Sequence, residues 1–347
     1  MQEIELMKKI RVPIIEWYQK NRRPLPWRKE GKRDPYVIWV SEIMLQQTRI
    51  EAVKPYYERF LKELPTIQEL AKVEENKLLK LWEGLGYYNR ARNLKKAAQI
   101  MEKEYDGKMP KHYEELIRLP GIGEYTAGAI SSIAYNEPVP AVDGNVLRVI
   151  SRVVASKRDI LDRKVKKEFT DKLKEIMPEQ AGDFNEGLME LGELICIPNG
   201  EPLCKQCPLK EICVANKEKL TEIIPVRKQK KNRKKEQKTV FLLKIGDKIA
   251  IRKRNDTGLL AGMYEFPNED KKLTIKEVKE VLKKWGLEEK KIQKIGNYRH
   301  IFSHIEWDMI GYEVFVKKMN EQFSWIKENE ILKKYPIPGA FTPFYKK

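Results

Sequence analysis

All four cysteines of this 347-residue chain, Cys196, Cys204, Cys207 and Cys213, fall within one short stretch. Thiolates are soft ligands, and four so close together suit a Zn ion or an iron–sulfur cluster. A disulfide framework needs an oxidising compartment, yet Met1 to Tyr18 alternates charged and apolar residues with no signal-peptide core. The Cys204-x2-Cys207-x5-Cys213 run with its outlying Cys196 lacks the paired knuckles of a zinc ribbon, which favours a 4Fe–4S cluster.

A second chemical feature is Leu119-Pro120-Gly121-Ile122-Gly123, followed by the small-residue run Thr126 to Ala134. Two glycines around an isoleucine make a tight turn, and its exposed N–H groups, backed by the positive end of the next helix, can hold a phosphate. An ordinary packing turn between two helices has the same signature. Charge separates the two readings: the formal net charge is +18, so a polyanion is the expected partner. Arg227 to Lys238 holds eight basic residues against Glu236 alone, which is less than half of the surplus, so the basicity is not confined to one run.

Punctuation and period divide the chain. Up to about Pro225, apolar residues recur at helical spacing, as in Tyr56, Phe60, Leu61 and Leu64, with Pro and Gly at the joints. Arg227 to Lys238 has no apolar face and reads as a solvated linker. From Thr239 the texture becomes strand–turn–strand around Gly246-Asp247, then a helix over about Thr274 to Trp285, then strands near Tyr298 to Ile305 and Trp307 to Val316. No apolar stretch is long enough to cross a bilayer, and a soluble, cytoplasmic, monomeric protein is expected.

The Gly-x-Gly turn, the later Ala141-Val142-Asp143-Gly144-Asn145-Val146 and the cysteine spacing together resemble the helix-hairpin-helix base-excision DNA glycosylases. Arg23-Pro-Leu-Pro-Trp27-Arg28, Val40-Ser-Glu42-Ile-Met-Leu-Gln-Gln47-Thr48 and Trp82-Glu-Gly-Leu-Gly-Tyr-Tyr-Asn-Arg90 are similar to segments of the MutY adenine DNA glycosylases in particular. So are Gly258-Leu-Leu-Ala-Gly-Met-Tyr-Glu-Phe-Pro267 and Phe302-Ser303-His304 in the second half. The resemblance implies a mainly α fold, a helix-hairpin-helix glycosylase with a 4Fe–4S loop, followed by a C-terminal α+β Nudix-like domain. Its boundaries would be 1–225 for the catalytic part, with a six-helix module over about 29–136 and a cluster subdomain from about 1–28 and 137–225. A basic linker over 226–238 would lead to an 8-oxoguanine recognition domain over 239–347. One departure stands out: Ile197 to Leu203 puts seven residues between the first two cysteines where the family usually has six, and Asn199-Gly200 is a turn that can absorb the extra one.

Breaking an N-glycosidic bond builds positive charge on the sugar and negative charge on the departing base, so an acid and an anion are wanted. In a helix over Tyr36 to Thr48, Glu42 has Ile38, Trp39, Leu45 and Gln46 one turn away, a mostly apolar face that favours its protonated form. The resemblance assigns Glu42 to protonating adenine and then activating water, and Asp143 to stabilising the oxocarbenium-like sugar through a covalent intermediate. Without it, Glu42 reads as a buried glutamate paired with an arginine, and Asp143 as a helix N-cap. The resemblance further implies Gln47, Thr48, Leu85 and Tyr87 as wedge or strand contacts, and Gly121 and Gly123 as the phosphate turn. Trp27, Arg28, Tyr125 and Glu186 would line or border the base pocket, Asn145 would contact substrate or DNA, and Phe302, Ser303 and His304 would sense 8-oxoguanine. The substrate would be double-stranded DNA carrying A opposite 8-oxoguanine or G. Tyr125 stands where strand-nicking relatives have a lysine, which implies hydrolysis without lyase chemistry. The second domain lacks the Arg-Glu…Glu-Glu run of a Nudix box, so pyrophosphate hydrolysis is not expected. Two other functions remain: an endonuclease III-like pyrimidine glycosylase and lyase, and a non-catalytic iron–sulfur DNA-binding protein.

Overall fold

The computed structural model describes residues 2–28, 33–228 and 233–345, which fall into two compact units. One comprises 1–72 and 93–229, the other 73–92 and 230–347.

The first unit is helical. Its central helix, Pro35–Leu45, starts where Asp34 accepts a hydrogen bond from Tyr36 N at 2.9 Å with proline at the first position. Tyr36, Ile38, Trp39, Val40, Ser41, Glu42, Ile43 and Met44 are all buried, so this helix is enclosed on every side. It ends at Leu45, three residues short of the expected Thr48, because Gln47 takes a left-handed φ of 59° that no helix continues. It packs against Ile50–Glu63 and Glu124–Tyr135, and the latter packs in turn on Ala181–Leu194. Helices Gly144–Val153 and Arg11–Asn21 flank Ala181–Leu194. A core of Met7, Ile10, Ile14, Val146, Val149, Ile150, Phe169, Phe184 and Leu188 joins the first two helices of the chain to the segment after residue 140.

Two devices fix the approach to Asp143. Gly128 sits so close to the Pro140 carbonyl that an added Cβ would lie 2.4 Å from its oxygen. Buried Asn185 accepts from Ala141 N at 3.0 Å and donates to Val139 O at 2.9 Å and Ser132 Oγ at 2.8 Å. Asn185 therefore pins the extended segment at Val139 and Ala141, just before it meets its helix.

The second unit is a mixed sheet of β1 (Lys234–Ile245), β2 (Lys248–Lys253), β3 (Tyr264–Glu265), β4 (Asn268–Glu269), β5 (Glu289–Ile301), β6 (Ile305–Val316) and β7 (Ser324–Lys327). The order is β3-β2-β1-β6-β5, with β4 on β1 and β7 on β2, and only β1 and β6 run parallel. Period two sorts the central strand: Val240 and Leu242 enter a cluster with Phe266, Trp307, Met309 and Phe344, while Phe241 and Leu243 enter one with Val278, Leu282 and Tyr312. Both faces of β1 are covered, which is why its sequence is continuously apolar. Helix Ile275–Lys284 covers one face where the sequence predicts a helix, and it is opened by a capping box between Thr274 and Glu277.

One boundary moves. β1 opens at Lys234, inside the stretch expected to be linker, because Lys234 to Lys244 pairs with Ile305 to Phe315 and backbone pairing asks nothing of the side chains. Lys238 is 5% exposed, its ammonium 4.6 Å from the Trp307 ring centroid. Within the expected linker, residues 229–232 lie outside the described residues.

Gly128→Ala forces a shift against backbone rather than a flexible side chain, so it should destabilise by about 1–3 kcal/mol, read as a lower urea midpoint with an unchanged slope.

Candidate active site and cysteine loop

The helical unit encloses a cavity of about 880 Å³. Glu42, Asp143, Tyr125, Asn145 and Glu186 line it, as do Trp27, Arg28, Gln47, Thr48 and Gly123. The two carboxyl groups expected to share the chemistry thus face one space.

Glu42 is 7% exposed and comes from the buried central helix. Burial raises its pKa to about 7, against the lowering effect of the Tyr125 hydroxyl, which donates to Oε2 at 2.6 Å. Glu186 and Asp143 raise it further and Arg28 lowers it. Tyr125 Oη also lies 3.2 Å from Met189 Sδ, and burial next to Glu42 lifts its own pKa well above the usual phenol.

Asp143 is both the N-cap of helix Gly144–Val153 and a wall of the cavity. Its Oδ1 accepts from Val146 N at 2.7 Å and its Oδ2 from Asn145 Nδ2 at 2.8 Å. Burial raises its pKa, and these two donors pull the other way.

Around the far wall, Arg28 Nε donates to Glu186 Oε1 at 2.9 Å and Nη1 to Glu190 Oε2 at 3.0 Å. Trp27 is 8% exposed and meets Tyr57 edge-on, with centroids 5.2 Å apart. Gln47 is exposed at the end of the central helix in its left-handed conformation. The motif spacing did not single out Glu190, Arg23 or Met189; the i, i+4 step from Glu186 to Glu190 was the available signal for the first.

Helix Tyr113–Leu116, the turn 117–123 and helix Glu124–Tyr135 form the helical hairpin. Leu119 and Ile122 are buried and Gly121 and Gly123 exposed. Gly121 has φ 80°, and a Cβ there would come 2.6 Å from Asn93 Cβ, so both conformation and space require glycine. Ile122 N is spent on Leu119 O at 3.1 Å, while among the described residues the amides of Gly121 and Gly123 donate to no protein acceptor. Gly121 itself is not among the cavity-lining residues.

The four cysteines are free thiols lining one small cavity with Arg152, Ile195 and Pro202. Among the described residues, no trio of His, Cys, Asp or Glu is gathered to hold a single ion. Arg152 Nη1 lies 3.2 Å from Cys196 Sγ and Leu209 N 3.4 Å from Cys207 Sγ, so sulfur is met by N–H donors. Burial pushes the Cys207 thiol up to about 12, which disfavours the free thiolate. Gly200, in the turn expected to absorb the extra residue, takes φ 79° with open space around it. Two buried arginines tie this loop to the cavity wall. Arg152 donates to Ile224 O, Thr221 O and Ile197 O at 2.7, 2.9 and 3.1 Å, and Arg148 to Cys196 O at 2.8 Å and Asn145 Oδ1 at 2.9 Å.

In the second unit, Phe302, Ser303 and His304 form the turn between β5 and β6, closed by Phe302 N to Ile305 O at 2.8 Å. Phe302 packs edge-on against Trp307, and Ser303 and His304 are exposed. The Tyr87 and Ser303 hydroxyls are hydrogen-bonded. Leu85 departs from expectation: it is 6% exposed, because the turn buries it and leaves Tyr87, 46% exposed at φ 49°, as the projecting side chain.

Known proteins match this arrangement. The family described as HhH-GPD superfamily base excision DNA repair protein matches residues 40–175, and the NUDIX domain family matches 239–347. A thermostable thymine-DNA glycosylase structure, 28% identical, aligns with a TM-score of 0.54 over 62% of this chain and 98% of its own. Endonuclease III in a non-covalent DNA complex, 24% identical, shares the fold with a TM-score of 0.52 over the same shares. The helical unit is therefore that of a base-excision DNA glycosylase. The adenine DNA glycosylase of Buchnera aphidicola subsp. Schizaphis graminum is 37% identical over 86% of this chain and 85% of its own length, and that of Schizosaccharomyces pombe 33% identical over 94% and 86%. The chain belongs to the adenine DNA glycosylase family and is an enzyme of base excision repair.

With Glu42 titrating near 7, the acid form is present below that pH and lost above it, so base excision should fall about tenfold per unit on the alkaline side. Tyr125→Phe removes the bond that favours the anion and should move that limb to higher pH in single-turnover kinetics.

Proposed function

We propose that this enzyme hydrolyses the N-glycosidic bond of adenine paired with 8-oxoguanine or guanine in duplex DNA, leaving the strand intact. The observation that carries this reading is the convergence of a buried Glu42, whose pKa is raised, and a hydrogen-bonded Asp143 on one cavity large enough for a nucleoside.

The adenosine is rotated out of the duplex into the cavity, at a cost of a few kcal/mol in stacking. Gln47 and Tyr87, both exposed and both held at positive φ, fill the space it leaves. Thr48 and the amides of Gly121 and Gly123 hold backbone phosphates, and Trp27, Arg28 and Glu186 bound the base. Glu42 gives its proton to a ring nitrogen; the C1′–N9 bond breaks and its electron pair leaves with the base. Asp143, oriented by Val146 N and Asn145, stabilises the sugar cation and bonds to C1′, and a water deprotonated by Glu42 then releases the abasic sugar. Tyr125 offers a phenol where a lyase would present an amine, so no Schiff base forms at that position.

Cys196, Cys204, Cys207 and Cys213 would hold a 4Fe–4S cluster, whose contribution when bound is to fix the loop; four cysteine thiols lining one small cavity are the donor set such a cluster takes. In the second unit, Phe302, Ser303 and His304 sense 8-oxoguanine opposite the adenine. The hydrogen bond between Ser303 and Tyr87 supports this, since it joins the sensing turn to the residue assigned to the wedge. We take the enzyme to act as a cytoplasmic monomer on chromosomal DNA.

Glycosylase assays on duplexes holding A opposite 8-oxoguanine, G or T test the reading, with strands analysed before and after alkali. Cleavage should need alkali and should favour the first two; strand nicking without alkali or indifference to the opposite base would overturn it. Glu42→Gln should lower base release by a factor on the order of a thousand or more with duplex binding retained. Phe302→Ala with Ser303→Ala should narrow the preference for 8-oxoguanine over G. Iron and acid-labile sulfide in equal amounts, about four of each per chain, are expected from the purified protein, and zinc in their place would remove the cluster.

A further inference from the structure

Glu190 has no part in the chemistry above, yet its carboxylate is 2% exposed and among the most heavily bonded groups at the cavity. Oε1 accepts from Arg23 N at 3.1 Å and Arg23 Nε at 2.7 Å; Oε2 accepts from Arg23 Nη2 at 2.9 Å and Arg28 Nη1 at 3.0 Å. Arg23 reaches on to Glu193 Oε2 at 2.8 Å. Glu186, Glu190 and Glu193 lie at i, i+4 and i+7 on helix Ala181–Leu194, so one helical face presents three carboxylates to two arginines from the loop after Asn21.

We propose that Glu190 is a positioning residue for base excision: it clamps the Arg28 guanidinium so that Nε points at Glu186, and it offsets the charge that Arg28 presents towards Glu42. The inference rests on the function proposed above and adds to it the group that sets its electrostatics. A planar guanidinium held at Nη1 by a buried anion has one orientation left for Nε, and that orientation places Glu186. Arg33, 3.8 Å from Glu186 Oε2, and the Tyr18 ring, 5.5 Å from Arg28, complete its surroundings. The groups acting on Glu42 are Tyr125, Glu186, Asp143 and Arg28. Burial works against the Glu190 anion, but the Arg23 bonds and the charges of Arg28 and Arg23 outweigh it and hold its pKa below the usual range, so it is charged wherever the enzyme works.

Replacing this charge gives a signed result. In Glu190→Gln Arg28 is less neutralised and loses the anion that orients it towards Glu186, and its fuller charge favours ionised Glu42. The alkaline limb of single-turnover adenine release should move down by about half a pH unit or more, and the rate near neutrality should fall about tenfold. Affinity for a duplex carrying an uncleavable 2′-fluoroadenosine should change by no more than about threefold, because the contact is internal. Glu190→Asp keeps the charge on a shorter stem and should slow release with the limb in place. Carbon-13 glutamate NMR, with Glu42→Gln assigning the resonance, follows the Glu42 titration without any turnover and should show the same downward move in Glu190→Gln.

An unmoved limb and an unmoved Glu42 resonance in Glu190→Gln, whatever the rate, would overturn the proposal and leave Glu190 a packing residue. Should Glu190→Gln not fold, as judged by circular dichroism, Glu190→Asp decides alone: an unchanged rate overturns the proposal, a slower rate with the wild-type limb supports it. A wild-type enzyme that releases no adenine would defeat the function proposed above, while the NMR titration would still test the clamp.

Discussion

A carboxyl group buried in an apolar helix governs the helical unit. Ionised carboxylates resist leaving water, and the central helix around Glu42 is enclosed on every side. A rise from 4.5 to about 7 corresponds to roughly 3 kcal/mol against the charged form. A helix that is apolar all round can have no other place than the centre, so the same residues that make the helix central also keep Glu42 protonated. Polar contact is rationed to one short bond from Tyr125, which keeps the carboxyl aimed without fully stabilising its anion. The cations lie beyond that contact, on a wall where three glutamates hold them, while burial raises the Glu42 pKa.

Asp143 illustrates why a structural role and the chemical one proposed for it need not compete. As an N-cap it satisfies Val146 N and terminates the preceding extended segment, which is common for aspartate. The same bond, with that from Asn145, fixes both oxygens and the plane of the carboxylate. A free aspartate facing a cavity would rotate, and a reacting carbon needs an oxygen already in place. Gly128 and Asn185 extend the arrangement backwards, because a cap is only as well placed as the chain that delivers it.

Local features of the chain were legible where a residue's neighbours in sequence are also its neighbours in space. The Gly-x-Gly turn, the helix after Thr274 and the Gly246-Asp247 hairpin are of this kind, and each appears where its residues predict. The arginine–glutamate wall is not: Arg23 and Glu190 are 167 residues apart in sequence, and nothing local to either announces the other. The start of β1 was hidden for a different reason. Lys234 and Lys235 are strand residues because of what the backbone of β6 offers them, and a basic run with exposed side chains looks the same paired or unpaired. Leu85 shows the converse, a motif position whose apolar side chain is drawn inward while its neighbour Tyr87 is left outside.

The cysteine loop lies away from the reacting groups, yet it cannot move independently of them. Arg148 is 2% exposed and Arg152 4%, and a buried guanidinium is tolerated only when its protons find acceptors. They find them in main-chain carbonyls at both ends of the loop, those of Cys196, Ile197, Thr221 and Ile224. From the Cys196 carbonyl the contacts run through Arg148 to Asn145 Oδ1, and from Asn145 Nδ2 to Asp143 Oδ2, without an intervening water. Each member has its capacity used by the next, so a shift of the Cys196 carbonyl either strands a buried charge or is passed on to the aspartate. Stranding a buried charge costs several kcal/mol. Passing on a small displacement costs far less, and the aspartate's position is therefore tied to how the four thiols are held.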